Sequence, residues 1–191
     1  MTLRDFQRDF NKNFVQNFNK LADMLEGLVT DVADHVSSPR TKKALYSALD
    51  LFRPHLLSLG LRISILNSSQ VEVTLPAKKR NVDEMNRILT GVQVSAAIEA
   101  YKLLWQRNSP EGNFDVVVKS TQAQFFKQAK TDLCLRGELP EISRETKWAE
   151  LSKNKRADHE MTLCFFDDQE QMVAEVSIVA ELFLVEMIDW K

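Results

Sequence analysis

The stretch from Asn81 to Asn108 constrains this chain more than any other. It opens on Asn81-Val82-Asp83-Glu84 and then runs apolar through Leu104 and Trp105, broken chiefly by Gly91, Gln93, Ser95, Glu99 and Lys102. A helix that is apolar on most of its sides has to be buried. Strand-like sequence lies before and after it. The expected architecture is therefore α+β, one long buried helix gripped by a single antiparallel sheet. Asn81 is the expected N-cap, with Glu84 three residues on as its capping-box partner. Ser109-Pro110-Glu111-Gly112-Asn113 ends the segment.

Two further helices are expected ahead of it. Over residues 2–36, Phe6, Phe10, Phe14, Phe18, Leu21, Leu25, Leu28, Val32 and Val36 recur at spacings of three and four, an apolar stripe on one long helix. Ser37-Ser38-Pro39 stops it, and Thr41 caps a second helix carrying Ala44, Leu45, Ala48, Leu49 and Phe52. Pro54 and Gly60 close the helical part. This divides the chain into an N-terminal helical extension, 1–53, and a main domain, 54–191.

After Gly60 the period falls to two. Leu61, Ile63 and Ile65 alternate with polar residues, Asn67-Ser68-Ser69 turns the chain, and Val71, Val73 and Leu75 alternate again. Beyond the central helix, strands are expected over 114–126, 131–139, 160–166 and 172–187, with a short helix near Trp148 and Leu151. Asp167-Asp168-Gln169-Glu170 is the last turn. Consecutive strands joined by short turns pair antiparallel.

Composition narrows the classes of function. A net charge of −2 draws neither nucleic acid nor an anionic membrane. No window approaches the roughly 18 to 20 apolar residues of a membrane span, and the N-terminus lacks a secretory pattern. Two cysteines, Cys134 and Cys164, give no disulfide framework and read as buried free thiols. The expected location is the cytoplasm. The signs on the polar faces of the 2–36 helix are balanced, which favours packing on protein over attachment to a membrane surface.

Within the central helix Glu99 is a carboxylate with no local reason to be there. Gly91, Ser95, Glu99 and Lys102 share one face at spacings of three and four. The bland account pairs Glu99 with Lys102, a surface contact of roughly a few tenths of a kcal/mol. Lys78, Lys79 and Arg80 precede the helix, either as a solvated basic loop or as a phosphate contact. His35, His55 and His159 are isolated and read as structural or exposed. Trp105 and Phe125-Phe126 read as core or interface. There is no HExxH, paired CxxC or glycine-rich phosphate loop, and so no support for a metal site or nucleotide hydrolysis.

Residues from about 54 to 189 resemble the hotdog fold, in which a curved antiparallel sheet wraps one long helix, and most of all its thioesterase-like branch containing the DUF4442 group. Arg53-Pro54-His55-Leu56-Leu57-Ser58-Leu59-Gly60-Leu61-Arg62-Ile63 is similar to that branch's approach to its first strand. The branch often carries His-Gly-Gly followed two helical turns later by Asp or Glu. Thr90-Gly91-Val92 stands in for that run here, and Glu99 falls on the acid's position. Asp167-Asp168-Gln169-Glu170-Gln171-Met172-Val173-Ala174-Glu175 resembles its last hairpin. The family's Asn-x-x-Gly stretch is blurred into Asn81, Asp83 and Asn86.

The resemblance implies an acyl-CoA thioesterase. Glu99 would be its base or nucleophile, Gly91 and Val92 would lie at the oxyanion site, and Ser95 would hold water or substrate. Asn81, Asn86, Lys78, Lys79 and Arg80 would contact the coenzyme A thioester, with no further cofactor. It implies a homodimer or larger homo-oligomer, with sites between subunits. Val92 keeps an amide, but its side chain narrows the approach where the family has glycine. The alternative is a non-catalytic acyl- or acyl-CoA-binding or assembly module of the same fold.

Overall fold

A computed structural model of the chain describes residues 58–108 and 114–184. The two N-terminal helices, the boundary at residue 53, His35, His55, the Ser109–Asn113 stop and the end of the last strand lie outside the described residues. The order is β1 (Arg62–Leu66), β2 (Gln70–Leu75), α1 (Thr90–Asn108), β3 (Phe114–Phe125), β4 (Leu133–Glu138), α2 (Glu141–Asn154), β5 (Arg156–Phe166) and β6 (Met172–Leu184). The strands form one six-stranded sheet in the order β1-β2-β4-β5-β6-β3. Every pairing is antiparallel.

Local chemistry explains the first hairpin. The Asn67 side-chain oxygen accepts from the amides of Ser69 and Gln70, both at 2.9 Å, closing the turn. Val71, Val73 and Leu75 then face inward and are fully buried, as the period of two requires. The chain crosses the sheet through α1, because β3 lies on the edge opposite β1. Helix α1 touches all six strands, so the sheet curves around it. Ala96, Ala97 and Ala100, all fully buried, let the helix backbone approach the sheet closely. Tyr101, Leu104 and Trp105 fill the space beyond them. Along β3 a bulge falls between Val118 and Ser120, and the residues past it are largely exposed, unlike Phe114 and Val116.

The central helix begins at Thr90, not at Asn81. Residues 81–89 form a compact loop closed by a bridge between Val82 and Ile88. Asp83 accepts from the amides of Met85 (2.9 Å) and Arg87 (3.0 Å) and pairs with the Arg87 guanidinium at 2.6 Å. These bonds offer the backbone an alternative to helix. Asn86 adopts φ 55°, a left-handed conformation that asparagine tolerates. The Asn81 amide donates to Leu59 O and Pro76 O, both at 2.8 Å. It clamps two loop segments and caps no helix, so the expected capping box with Glu84 does not form.

Helix α2 is longer than expected and ends at Lys155, whose φ of 63° lets its amide close on Leu151 O. Strand β5 starts four residues before the expected Glu160. The cysteines sit half-buried on the outer face of β4 and β5, not in the core. Cys134 lies opposite Phe166 and Cys164 opposite Arg136. They are diagonal neighbours, about 7–8 Å apart, too far to bridge without backbone movement. Burial pushes both thiols above the usual range.

Candidate functional site

The first turn of α1 leaves amides without partners, as every helix N-terminus does. Val92 N donates to Leu89 O at 3.0 Å and Gln93 N to the same oxygen at 3.2 Å. The amides of Thr90 and Gly91 find no backbone acceptor among the described residues. Gly91 is exposed, and a Cβ added to it would meet no atom within 4 Å. Thr90 and Gly91 thus both offer a donor at the exposed start of the helix, where the dipole also favours negative charge, and Gly91 adds no side chain over it. The Val92 amide is already engaged.

Glu99 follows eight residues later, about 12 Å along the axis. Its side chain tilts back toward the helix N-terminus, shortening that span. It is 7% exposed, at the border between the buried face of Ala96, Ala100 and Leu103 and the open face of Gly91 and Ser95. It has no hydrogen bond or ion pair among the described residues, and the contact with Lys102 does not form. The Ser95 hydroxyl donates to Gly91 O at 2.9 Å, so its proton is held within the helix while its oxygen faces outward.

The residues before the helix do not gather at this face. Both N–H groups of Asn81 are engaged by backbone carbonyls. The Arg80 guanidinium packs against Gly60 at the start of β1, which adopts φ 64°. Asn86 and Lys79 are exposed and Lys78 is half-buried. Among the described residues no group of three or more His, Cys, Asp or Glu side chains can hold a metal ion, and no helix is long and apolar enough to cross a membrane.

Sequence reasoning missed a second feature. A cavity of about 460 Å³ opens between the loop ahead of α1 and the end of β3. Asp83, Arg87, Ile88, Leu89, Thr90 and Gln93 form one wall, and Phe125 through Ala129 the other. Gly91, Val92, Ser95 and Glu99 do not line it. Its cations are neutralised in place, Arg87 by Asp83 and Lys127 by Asp167 at 2.5 Å. The Arg87 guanidinium holds the Asp83 carboxyl below its ordinary range, and the Lys127 ammonium does the same for Asp167. One signal was present in the sequence. Phe125 and Phe126 are adjacent, and neighbours on a strand cannot both face the core. They are 41% and 54% exposed.

No protein-family model matches the chain, and no curated protein matches it in sequence. Solved structures do match in shape. A Pseudomonas aeruginosa protein of unknown function, described as "Probable Thioesterase", is 20% identical, with a TM-score of 0.62 over 72% of this chain and 89% of that one. A protein of unknown function from Chlorobaculum tepidum is 14% identical, with a TM-score of 0.64 over 75% of this chain and 94% of that one. A Haemophilus influenzae thioesterase is 14% identical, with a TM-score of 0.56 over 71% and 86% of the two chains. At such identities the likeness is one of fold alone, the hotdog arrangement of an antiparallel sheet around one long helix.

Proposed function

We propose that this chain is an acyl-CoA thioesterase of the hotdog fold, closest in its helix motif to the DUF4442 branch and working as a cytoplasmic homodimer. The observation that carries this reading is Glu99, nearly buried and unpartnered, two turns beyond the free Gly91 amide on the same helix. The Gly91 N–H would stabilise the oxyanion that forms as the thioester carbonyl is attacked. Glu99 would attack directly, or take a proton from water as it adds. On the general-base route the carbon–sulfur bond then breaks and the proton held by Glu99 passes to the leaving thiolate. On the direct route departure of the thiolate leaves an anhydride between the acyl group and Glu99. Water hydrolyses it to the free acid and the restored carboxylate, supplying the thiolate's proton. Lys78 and Lys79 remain the candidates for the coenzyme A phosphates, with Asn86 and Arg80 at the surface near them in sequence. Asn81 would serve by holding the loop in place, its N–H groups being taken by Leu59 O and Pro76 O. Strand β3, a long edge with one unpaired side, would pair with its copy in the dimer.

A second reading is a binding module that holds an acyl group without cleaving it. Two observations favour it. The Val92 side chain stands where the family has glycine, and the 460 Å³ cavity lies apart from Glu99. A panel of acyl-CoA thioesters of increasing chain length, followed by free thiol released, separates the two. Turnover that falls in Glu99→Ala supports the enzyme. Acyl-CoA bound stoichiometrically without thiol release supports the binding module and ends the catalytic reading.

A further inference from the structure

A buried polar cluster joins three elements far from the Gly91 end of α1. The Tyr101 hydroxyl of α1 lies 3.0 Å from His159 Nδ1 on β5. On the other side of the ring, His159 Nε2 lies 3.5 Å from the Ser143 hydroxyl of α2. Tyr101 is fully buried and His159 is 6% exposed. Burial raises the Tyr101 pKa far above its usual value, so its O–H is intact. The neutral ring carries one proton, so one of its two nitrogens accepts from a hydroxyl, Tyr101 at Nδ1 or Ser143 at Nε2, and the other donates. Trp105 lies edge-on to the imidazole, with ring centres 4.9 Å apart, and Trp148 of α2 packs against Trp105 and Phe114.

We infer that His159 is an acid-sensitive latch that holds α2 on the sheet, and that acidification releases α2 while the sheet stays paired. Taking up a second proton makes both ring nitrogens donors and removes the one acceptor the ring offered to the Tyr101 and Ser143 hydroxyls. It also places a charge among aromatic rings. The groups around His159 do not compensate for that charge. Helix α2 presents Lys147, a like charge already paired with Glu150 at 2.8 Å. Among the described residues, helix α1 presents Tyr101 and Trp105, both uncharged. Strand β6 places Ala180 opposite, and the neighbours Asp158 and Glu160 on β5 face the exposed side. Burial first, and then Lys147, lower the His159 pKa from 6.5 to about 4.

The pH window follows from that direction. A released α2 frees His159 to bind protons near 6.5, so the released state takes up more protons between 6.5 and about 4. The latch is complete above 6.5 and weakens as pH falls through that interval. Helix α2 is the element positioned to yield. Leu151 is its one fully buried residue, and its Pro140 N-cap makes no side-chain capping bond. Segments with few buried contacts open at lower cost than the whole domain.

Hydrogen exchange of the full chain, corrected for intrinsic rates, tests this at about pH 7.5 and about pH 4.5. The expected result is a loss of protection across Glu141–Asn154 of about 70-fold at the lower pH, with β5 and β6 still protected. In His159→Gln, whose amide accepts from Tyr101 but does not titrate, α2 should be equally protected at both pH values. In Lys147→Met the loss should shrink. The inference is overturned if α2 protection is the same at both pH values in wild type. It is also overturned if the variants lose protection as wild type does, or if helix and sheet open together.

Discussion

Asn81 and Glu99 are both buried polar residues, and their surroundings separate structure from chemistry. The two N–H groups of Asn81 hold carbonyls 5 and 22 residues away in the chain. Glu99 has no such partner. Replacing Asn81 by Ala leaves Pro76 O and Leu59 O without donors, an expected loss of about 1–3 kcal/mol in urea unfolding. Asn81→Asp should cost more, since it offers acceptors to acceptors and adds a buried charge. If Asp is tolerated better than Ala, the clamp is misassigned. The role of Asn81 was not legible in the sequence, because a donor to distant carbonyls has no local pattern, and Asn81 before an apolar run reads as a cap. Glu99 was legible, because an acid inside an apolar helix breaks the pattern around it.

Among the elements, alternation made the sheet readable, and departures from local rules hid the rest. The β1–β2 hairpin, the start of β3, and strands β4 and β6 follow the period of two that burial on one face imposes. The start of β5 was obscured because its inward residues there are Ala157 and His159, small and polar. The true start of α1 was obscured because Asp83 diverts the preceding backbone into a loop through bonds that sequence cannot rank against helix. That start sets a prediction. Gly91 sits in the first turn with open space above it, so Gly91→Ala should leave the fold as stable as wild type or more so, by up to about 1 kcal/mol. The same methyl group would stand over the amide proposed for the oxyanion, so kcat/KM for an acyl thioester should fall by about tenfold or more. Unchanged kinetics with raised stability would remove Gly91 from the site.

For the whole molecule, the likeness to hotdog structures fixes the sheet-around-helix plan, which the apolar central stretch had already implied. The cavity beside Phe125 and Phe126 was not readable, because it forms only where the end of β3 meets the loop ahead of α1. The exposed second half of β3 belongs to this scale too. Paired edge to edge, two chains would give a particle of twice 22.0 kDa in sedimentation, and a species of 22.0 kDa at all concentrations would refute the dimer. The central claim is that Glu99 performs thioester chemistry, and Glu99→Gln tests it most directly, since it keeps size and removes the ionisable oxygen. Free coenzyme A released from an acyl-CoA substrate should fall by about a hundredfold or more in this variant, with the melting temperature within a few degrees of wild type. Equal release from Glu99→Gln and wild type, or none from either, would contradict the account.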